Sequence, residues 1–238
     1  MSGATVIRQG AVGHVRLVER DGRSLVEKRM PDARRHDTEV AALRALQGSG
    51  LPVPELVADS SGSILMTLLP GERLDSGSVD ERIELLAASA PLMRRLHELP
   101  VPAGLSPAPD DEAIVWRYRE AGGPPLPLVI PHSHGRVFCH GDWTDGNVLA
   151  VDGGITAVVD WEAAHVGDPM RELSRAAWGA SLKDPRSVDA LVDGYGADPE
   201  IVRAWFPIHA AELWLWFSEA GPPEYLDDLT LRLRDWPA

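Results

Sequence analysis

The sequence predicts an α+β protein with two unequal lobes, a small β-rich N-terminal lobe and a larger, mainly helical C-terminal lobe. Two observations support this fold class. Over the first 70 residues, short β-type runs are separated by turn signals at Asp21-Gly22 and Ser60-Ser61-Gly62. After Pro70-Gly71 the apolar residues recur with helical spacing over much longer segments. We therefore place the lobe boundary between 1–70 and 71–238.

The N-terminal elements follow from local patterns. One helix is expected from about Asp37, after a polar connection over 31–36, because Glu39, Leu43 and Leu46 share one helical face. Gly48 and Gly50 end it. Strands are expected at 5–8, 14–20, 24–29, 55–59 and 63–69.

The C-terminal elements are mostly helices. Helices are expected at 79–99, 112–121, 169–178, 185–195, 199–219 and 226–233. Pro207 should kink the fifth of these. Short β-type runs are expected at 137–139, 147–151 and 155–159. Trp205, Trp214 and Trp216 are expected to pack in the core or between helices, with a substrate cleft as the alternative.

Charge and composition exclude several partners. The net charge of −13 argues against nucleic acid, and no apolar run is long enough for a membrane span. Residues 71–238 contain 14 Lys/Arg and 28 Asp/Glu, a balance of −14, whereas residues 1–70 carry +1. This asymmetry favours either a solvated acidic surface or attraction of cations. The single cysteine, Cys139, excludes an internal disulfide and fits a cytoplasmic setting.

The segment HGDWTDGNVL, His140 to Leu149, concentrates polar residues between apolar neighbours. Asp142 and Asn147 lie five residues apart, and Asp160 ends the apolar run ITAVVD. These hard oxygen ligands suit Mg²⁺ rather than zinc. A zinc site built from His132, His134, Cys139 and His140 is rejected, because the spacing is irregular and neighbouring strand residues point in opposite directions.

Phosphoryl transfer explains the order of these residues. It requires an aspartate that orients the acceptor hydroxyl, an Asn and an Asp that hold Mg²⁺, and a lysine on the phosphates. His140, Asp142 and Asn147 match the His-x-Asp-x-x-x-x-Asn spacing, and Asp160 follows as the metal-binding aspartate. Lys28 lies on a predicted strand and Glu39 on the next helix, as in the ion pair of kinase-like proteins.

HGDWTDGNVL, followed by AVVDWEAAHVGDPMRELSR, resembles the aminoglycoside phosphotransferase family of the kinase-like superfamily. LMRRLHELP and ILMTLLPGERL are also similar to that family, and the resemblance covers about residues 5 to 220. It implies a two-lobed protein-kinase-like fold and an ATP or GTP site between the lobes.

The resemblance also implies a role for each matched residue. Asp142 is the implied catalytic aspartate, and Asn147 and Asp160 are the implied Mg²⁺ ligands. Lys28, held by Glu39, would bind phosphate. The remaining implied nucleotide contacts are Met66 at the back of the pocket and the hinge from Thr67 to Leu69. His140 would brace the loop, as Gly167-Asp168-Pro169 and Arg171 would brace the segment after Asp160. Glu162 and Asp145 are candidate substrate contacts, with Glu162 alternatively facing the metal.

The departures from protein kinases bear on the substrate. Asp160-Trp161-Glu162 replaces Asp-Phe-Gly and no Ala-Pro-Glu follows, which favours small molecules over proteins. The nucleotide loop GAVGH keeps only two glycines. We expect phosphorylation of a hydroxyl on a cationic antibiotic, such as an aminoglycoside or a basic peptide antibiotic, giving resistance or self-protection. The alternatives are another hydroxylated metabolite, Ser/Thr of a biosynthetic peptide, or a non-catalytic nucleotide-binding protein.

Overall fold

The computed structural model describes residues 6–9 and 14–236. Its N-terminal lobe is an antiparallel sheet of order β1-β2-β3-β5-β4. The strands are β1 (Val6–Gln9), β2 (His14–Arg20), β3 (Arg23–Arg29), β4 (Leu56–Ser60) and β5 (Ser63–Thr67). The predicted turn between β2 and β3 is confirmed, because Asp21 and Gly22 both have positive φ, 53° and 71°. Thr5, Gly10 and Gly13 of the predicted first strand and nucleotide loop lie outside the described residues.

Helix α1 (Ala33–Leu46) packs against β4 and β5. Its predicted start near Asp37 is wrong, because the Asp32 side chain accepts hydrogen bonds from the backbone N–H groups of Arg34 and Arg35 at 2.9 and 3.1 Å. This N-cap satisfies donors that the first helical turn leaves free, so the helix begins four residues earlier. The predicted buried face is confirmed, and Glu39 lies on it.

The C-terminal lobe contains seven further helices among the described residues. They are α2 (Val79–His97), α3 (Asp111–Glu120), α4 (Pro169–Ser181), α5 (Arg186–Tyr195), α6 (Pro199–Ala204), α7 (Phe206–Glu219) and α8 (Glu224–Arg234). The single kinked helix expected over 199–219 is wrong. The chain instead forms α6 and α7, divided at Trp205, and Pro207 lies in the first turn of α7, where its missing N–H removes no helical hydrogen bond.

Two small sheets position the segments that carry the HGDWTDGNVL loop. One has the order β6-β8-β9 and the other pairs β7 with β10. These strands are β6 (Glu72–Arg73), β7 (Val137–Cys139), β8 (Val148–Val151), β9 (Gly154–Val158) and β10 (His165–Gly167). Gly71 precedes β6 with φ 129°, and a Cβ there would lie 2.6 Å from Thr156 Oγ1, so only glycine fits this close approach.

One continuous hydrophobic core spans both lobes, joining α1 and β5 to α2, α4 and α5. Trp205 and Trp214 are buried, as predicted. Trp216 is 49% exposed, so the prediction that it packs in the core is wrong. Among the described residues, no helix is both long and apolar enough to cross a membrane.

Candidate active site

The HGDWTDGNVL loop is held in shape by His140 and Gly141. The buried His140 ring donates from Nε2 to the Val159 carbonyl (3.0 Å) and accepts at Nδ1 from the Asp142 N–H (3.1 Å), a tautomer that these two partners assign. Gly141 has φ 84°, and a Cβ there would lie 2.1 Å from the Ala163 carbonyl oxygen. The expected bracing role of His140 is therefore borne out by its contacts.

Asp142 and Asn147 face each other across this loop. Asn147 Nδ2 donates to Asp142 Oδ2 at 3.0 Å and to the Asp142 carbonyl at 2.9 Å. Asp142 is partly exposed, and its other carboxylate oxygen, Oδ1, lies 3.5 Å from a guanidinium nitrogen of Arg175. The amide orientation leaves the Asn147 side-chain oxygen directed away from Asp142.

Asp160 lies two residues after the end of β9, the second strand after the loop. The Val159 N–H donates to the Asn147 carbonyl at 2.9 Å, which fixes the strand end against the loop. Asp160 itself has left-handed backbone angles, φ 68° and ψ 65°, uncommon for a residue with a side chain. Strained backbone of this kind clusters at functional sites.

Lys28 brings the two lobes together at this point. Its Nζ lies 2.7 Å from Glu39 Oε2, 2.5 Å from Asp160 Oδ1 and 3.0 Å from Glu162 Oε2. Burial opposes the charge on Lys28, but Glu39 and Asp160 outweigh it and raise the pKa of the amine above its usual range. Arg35 on α1 binds the other Glu162 oxygen at 2.8 Å. Four of the residues singled out in the sequence thus meet within one cluster.

The remaining nucleotide candidates lie at the end of β5. Met66 is buried in the core and pairs with Val26 and Leu56 in the sheet. The Thr67 N–H donates to the Glu55 carbonyl at 3.0 Å, so Thr67 offers no free N–H to a purine. Leu69 is partly buried, whereas Leu68 and Pro70 on either side of it are exposed.

Asp145 has a structural environment that the sequence did not reveal. Its side chain is buried and accepts from Lys183 Nζ at 2.7 Å, and Arg82 Nη1 lies 3.6 Å from the same oxygen. Arg82 is on α2 and Lys183 follows α4. Asp145 therefore ties the loop to two helices. Its contacts are with protein cations, which does not favour the substrate contact considered from sequence.

A second set of buried contacts was also missed from the sequence. Glu172 on α4 accepts from the Gly141 N–H at 2.6 Å and is 2.7 Å from His97 Nε2. His97 Nδ1 in turn lies 2.8 Å from the Tyr195 hydroxyl. Burial opposes ionisation of Glu172, but the hydrogen bond with His97 outweighs it and lowers its pKa. The segments LHELP and GDPMRELSR contain His97 and Glu172, but nothing in their spacing indicated that the two meet.

A set of paired charges extends from Arg175, whose guanidinium group contacts Asp142 Oδ1. Arg171 is buried, as its expected bracing role requires, and donates to Asp111 at 2.8 Å. Arg171 and Arg175 both lie against Glu212 Oε2, at 3.4 and 3.2 Å. Burial raises the pKa of Glu212, but His209 and the two guanidinium groups outweigh it and lower the pKa to about 2. Sequence reasoning named neither Arg175 nor Glu212 as a site residue.

The residues present fit a hard divalent cation. Carboxylate oxygens of Glu39, Asp160 and Glu162 lie within 4.8 Å of one another, and the single positive charge of Lys28 offsets part of their negative charge. Asp160 is about two-fifths exposed, and the amide oxygen of Asn147, whose Nδ2 binds Asp142, would add a neutral donor. This all-oxygen donor set matches Mg²⁺. Cys139, by contrast, lies beside His97 and Glu172 rather than in the zinc set considered from sequence.

The two-lobed architecture, a small antiparallel sheet above a helical lobe, is that of a kinase-like phosphotransferase. Within that class the chain belongs to the phosphotransferase enzyme family, whose model matches residues 3–124 and 108–205. The chain is therefore an enzyme that transfers a phosphoryl group to an alcohol.

Three relatives illustrate the similarity. The aminoglycoside 3′-phosphotransferase of Streptomyces fradiae is 28% identical over 192 residues, 67% of this chain and 72% of the relative. The gentamicin complex of APH(2″)-IIa superposes with a TM-score of 0.72 at 15% identity, covering 99% of this chain and 92% of that one. The same enzyme has been solved with streptomycin and ATP (TM-score 0.66, 14% identity, 97% and 90% covered). Macrolide 2′-phosphotransferase MphH of Brachybacterium faecium superposes at 0.68 with 19% identity, covering 100% and 92%.

Proposed function

We propose that this enzyme transfers the γ-phosphoryl group of ATP, or GTP, to a hydroxyl of a small-molecule antibiotic, with cationic antibiotics as the first acceptor class. The observation that supports it most directly is the convergence of Lys28, Glu39, Asp160, Asn147 and Asp142 from four segments of the chain. Each carries the functional group that phosphoryl transfer requires.

In this proposal Asp142 Oδ1 accepts the hydrogen bond of the acceptor hydroxyl and orients its oxygen towards the γ-phosphorus. The new O–P bond forms as the bond to the β,γ-bridging oxygen breaks and ADP leaves, and the hydroxyl proton passes to Asp142 and then to solvent. The hydrogen bond from Asn147 Nδ2 holds Oδ2 and leaves Oδ1 for this contact.

Lys28 supplies positive charge to the nucleotide phosphates. The carboxylates of Asp160 and Glu162 now beside it give way to phosphate oxygens, while the buried Glu39 keeps the amine in place. Asn147 and Asp160 would hold Mg²⁺, which would supply positive charge to the transferred phosphoryl group. We place the purine beside Met66 and the segment from Thr67 to Leu69, and we retain Pro70-Gly71 as the proposed lobe boundary.

Two considerations favour a cationic acceptor. The −14 balance of residues 71–238 attracts polycations over long range. Two of the relatives above are aminoglycoside phosphotransferases, one of them named for the 3′-hydroxyl. That hydroxyl on a kanamycin-type ring is therefore the first to test.

The test is a mass-shift screen of ATP and GTP against aminoglycosides, basic peptide antibiotics, nucleoside antibiotics and macrolides. Wild type should add one phosphoryl group to at least one cationic acceptor. Asp142→Asn should lose this turnover yet still bind nucleotide. Asp160→Ala should lose the Mg²⁺-dependent thermal shift caused by ADP.

A matched control is Asp152→Asn, which removes an exposed carboxylate from the turn between β8 and β9 and should leave turnover unchanged. Unimpaired turnover by Asp142→Asn would refute the proposed mechanism. Nucleotide binding by wild type without turnover on any acceptor would instead favour a non-catalytic protein.

A further inference from the structure

Arg175 is the one side chain that touches the acceptor-facing oxygen of Asp142 among the contacts of the described residues. Its two terminal nitrogens bridge Asp142 Oδ1, at 3.5 Å, and Glu212 Oε2, at 3.2 Å. The Arg175 side chain is 39% exposed, so solvent and an incoming acceptor can reach it. An acceptor hydroxyl bound to Asp142 Oδ1 must therefore lie next to this guanidinium.

Glu212 keeps Arg175 in this position. Its pKa, lowered to about 2, means that the carboxylate is charged at neutral pH. On the other side of Glu212, the buried Arg171 is anchored by Asp111, and Arg171 stands one helical turn before Arg175 on α4. The carboxylate can satisfy both guanidinium groups at once, so Arg175 remains beside Asp142 without needing any ligand.

The carboxylates elsewhere around the loop are also paired. Asp145 binds Lys183 and Arg82, and Asp111 binds Arg171. Cations thus offset these carboxylates, and Arg175 places a positive charge next to Asp142 Oδ1. The acidic residues of the C-terminal lobe therefore attract cations over long range. The positive charge of Arg175 acts at short range, on the groups beside the reacting hydroxyl.

We propose that Arg175 is a specificity-determining residue, which admits a hydroxyl flanked by neutral or anionic oxygen and disfavours one flanked by an ammonium group. This inference rests on the proposed function and refines its substrate class. A hydroxyl or carboxylate beside the reacting group accepts hydrogen bonds from the guanidinium, whereas an ammonium there meets a like charge at close range. At a partly exposed site this repulsion amounts to about tenfold in kcat/KM.

Kanamycin A and kanamycin B form a matched pair of acceptors, because the substituent beside the 3′-hydroxyl is a hydroxyl in A and an ammonium in B. Wild type should prefer A by about tenfold in kcat/KM. Arg175→Gln should bring the ratio close to one, and Arg175→Lys should keep the preference for A. Arg203→Gln removes a comparably exposed arginine paired with Asp189, and it should leave the ratio at its wild-type value.

Equal ratios in wild type and Arg175→Gln would overturn the inference. So would loss of all turnover in Arg175→Gln with nucleotide binding intact, since Arg175 would then be required for the chemistry. Where wild type itself turns over both kanamycins too slowly to measure, the ratio is read from dissociation constants measured by calorimetry with ADP and Mg²⁺. Equal affinities of wild type for kanamycin A and kanamycin B, or no binding of either kanamycin by any variant, also count against the inference. Failure of the proposed function is a separate result, namely no phosphorylation of any acceptor by wild type.

Discussion

Replacement of Lys28 by methionine should separate the structural role of the Lys28–Glu39 pair from its role in phosphoryl transfer. Glu39 is 1% exposed, and Lys28 Nζ is its hydrogen-bond partner at 2.7 Å. Loss of one partner of a buried ion pair leaves an uncompensated charge and costs about 3–5 kcal/mol. Burial already raises the pKa of Glu39, so the carboxyl takes up a proton in the variant. The loss of stability should therefore lie near the lower end of this range, about 3 kcal/mol.

For a chain of this size, about 3 kcal/mol corresponds to a fall in Tm of about 6 to 12 °C. The double variant Lys28→Met/Glu39→Met removes both charges and replaces them with apolar side chains of similar length. Buried pairs replaced in this way are often close to neutral in stability, so the double variant should recover to within about 1 kcal/mol of wild type.

Differential scanning calorimetry of wild type, both single variants and the double variant gives the stability comparison, and ATP turnover gives the activity. Both variants that lack Lys28 should be inactive, although only the single one is unstable. A double variant as unstable as Lys28→Met would refute the reasoning, because the loss would then not come from a stranded Glu39. A Lys28→Met variant with wild-type Tm would refute it equally.

Three further predictions concern the loop and its surroundings. Lys183→Met should release Asp145, so the loop loses its alignment and kcat falls about tenfold while the KM for ATP changes little. Lys183→Arg should restore kcat, and steady-state assays measure both variants. Gly141→Ala should lower kcat by about a hundredfold because its Cβ would lie 2.1 Å from the Ala163 oxygen, with ADP binding retained in calorimetry. Glu212 should stabilise the fold fully above its ordinary pKa of 4.5 and lose that contribution, at most about 3 kcal/mol, as pH falls towards 2. Urea unfolding should therefore show wild type and Glu212→Gln converging as pH falls from 4.5 to 3, and a constant difference would contradict the assignment.

Sequence patterns predicted the elements best where local chemistry determines them. The hairpin at Asp21-Gly22 follows from residues that accept positive φ, and the buried face of α1 follows from apolar spacing. The start of α1 was wrong because Asp32 was interpreted as part of a polar connection and not as an N-cap. The break at Trp205 was missed because Pro207 suits the first turn of a new helix as well as it suits a kink.

The sequence by itself determined the order and spacing of Lys28, Glu39, Asp142, Asn147 and Asp160, since each of them follows a recognisable strand, helix or loop pattern. Those residues carry the proposed chemistry, and a local pattern is enough to locate them. No local pattern indicates the contacts between His97 and Glu172, which are 75 residues apart, or between Arg175 and Glu212, which are 37 residues apart.

Only the tertiary structure decided those contacts. Helical periodicity shows which side of a helix is buried, but not which distant side chain packs against it. Asp145 illustrates the difference: its position inside the loop is plain in the sequence, whereas its partners Lys183 and Arg82 come from the end of α4 and from α2. The packing of helices around the loop therefore determines which charges surround Asp142.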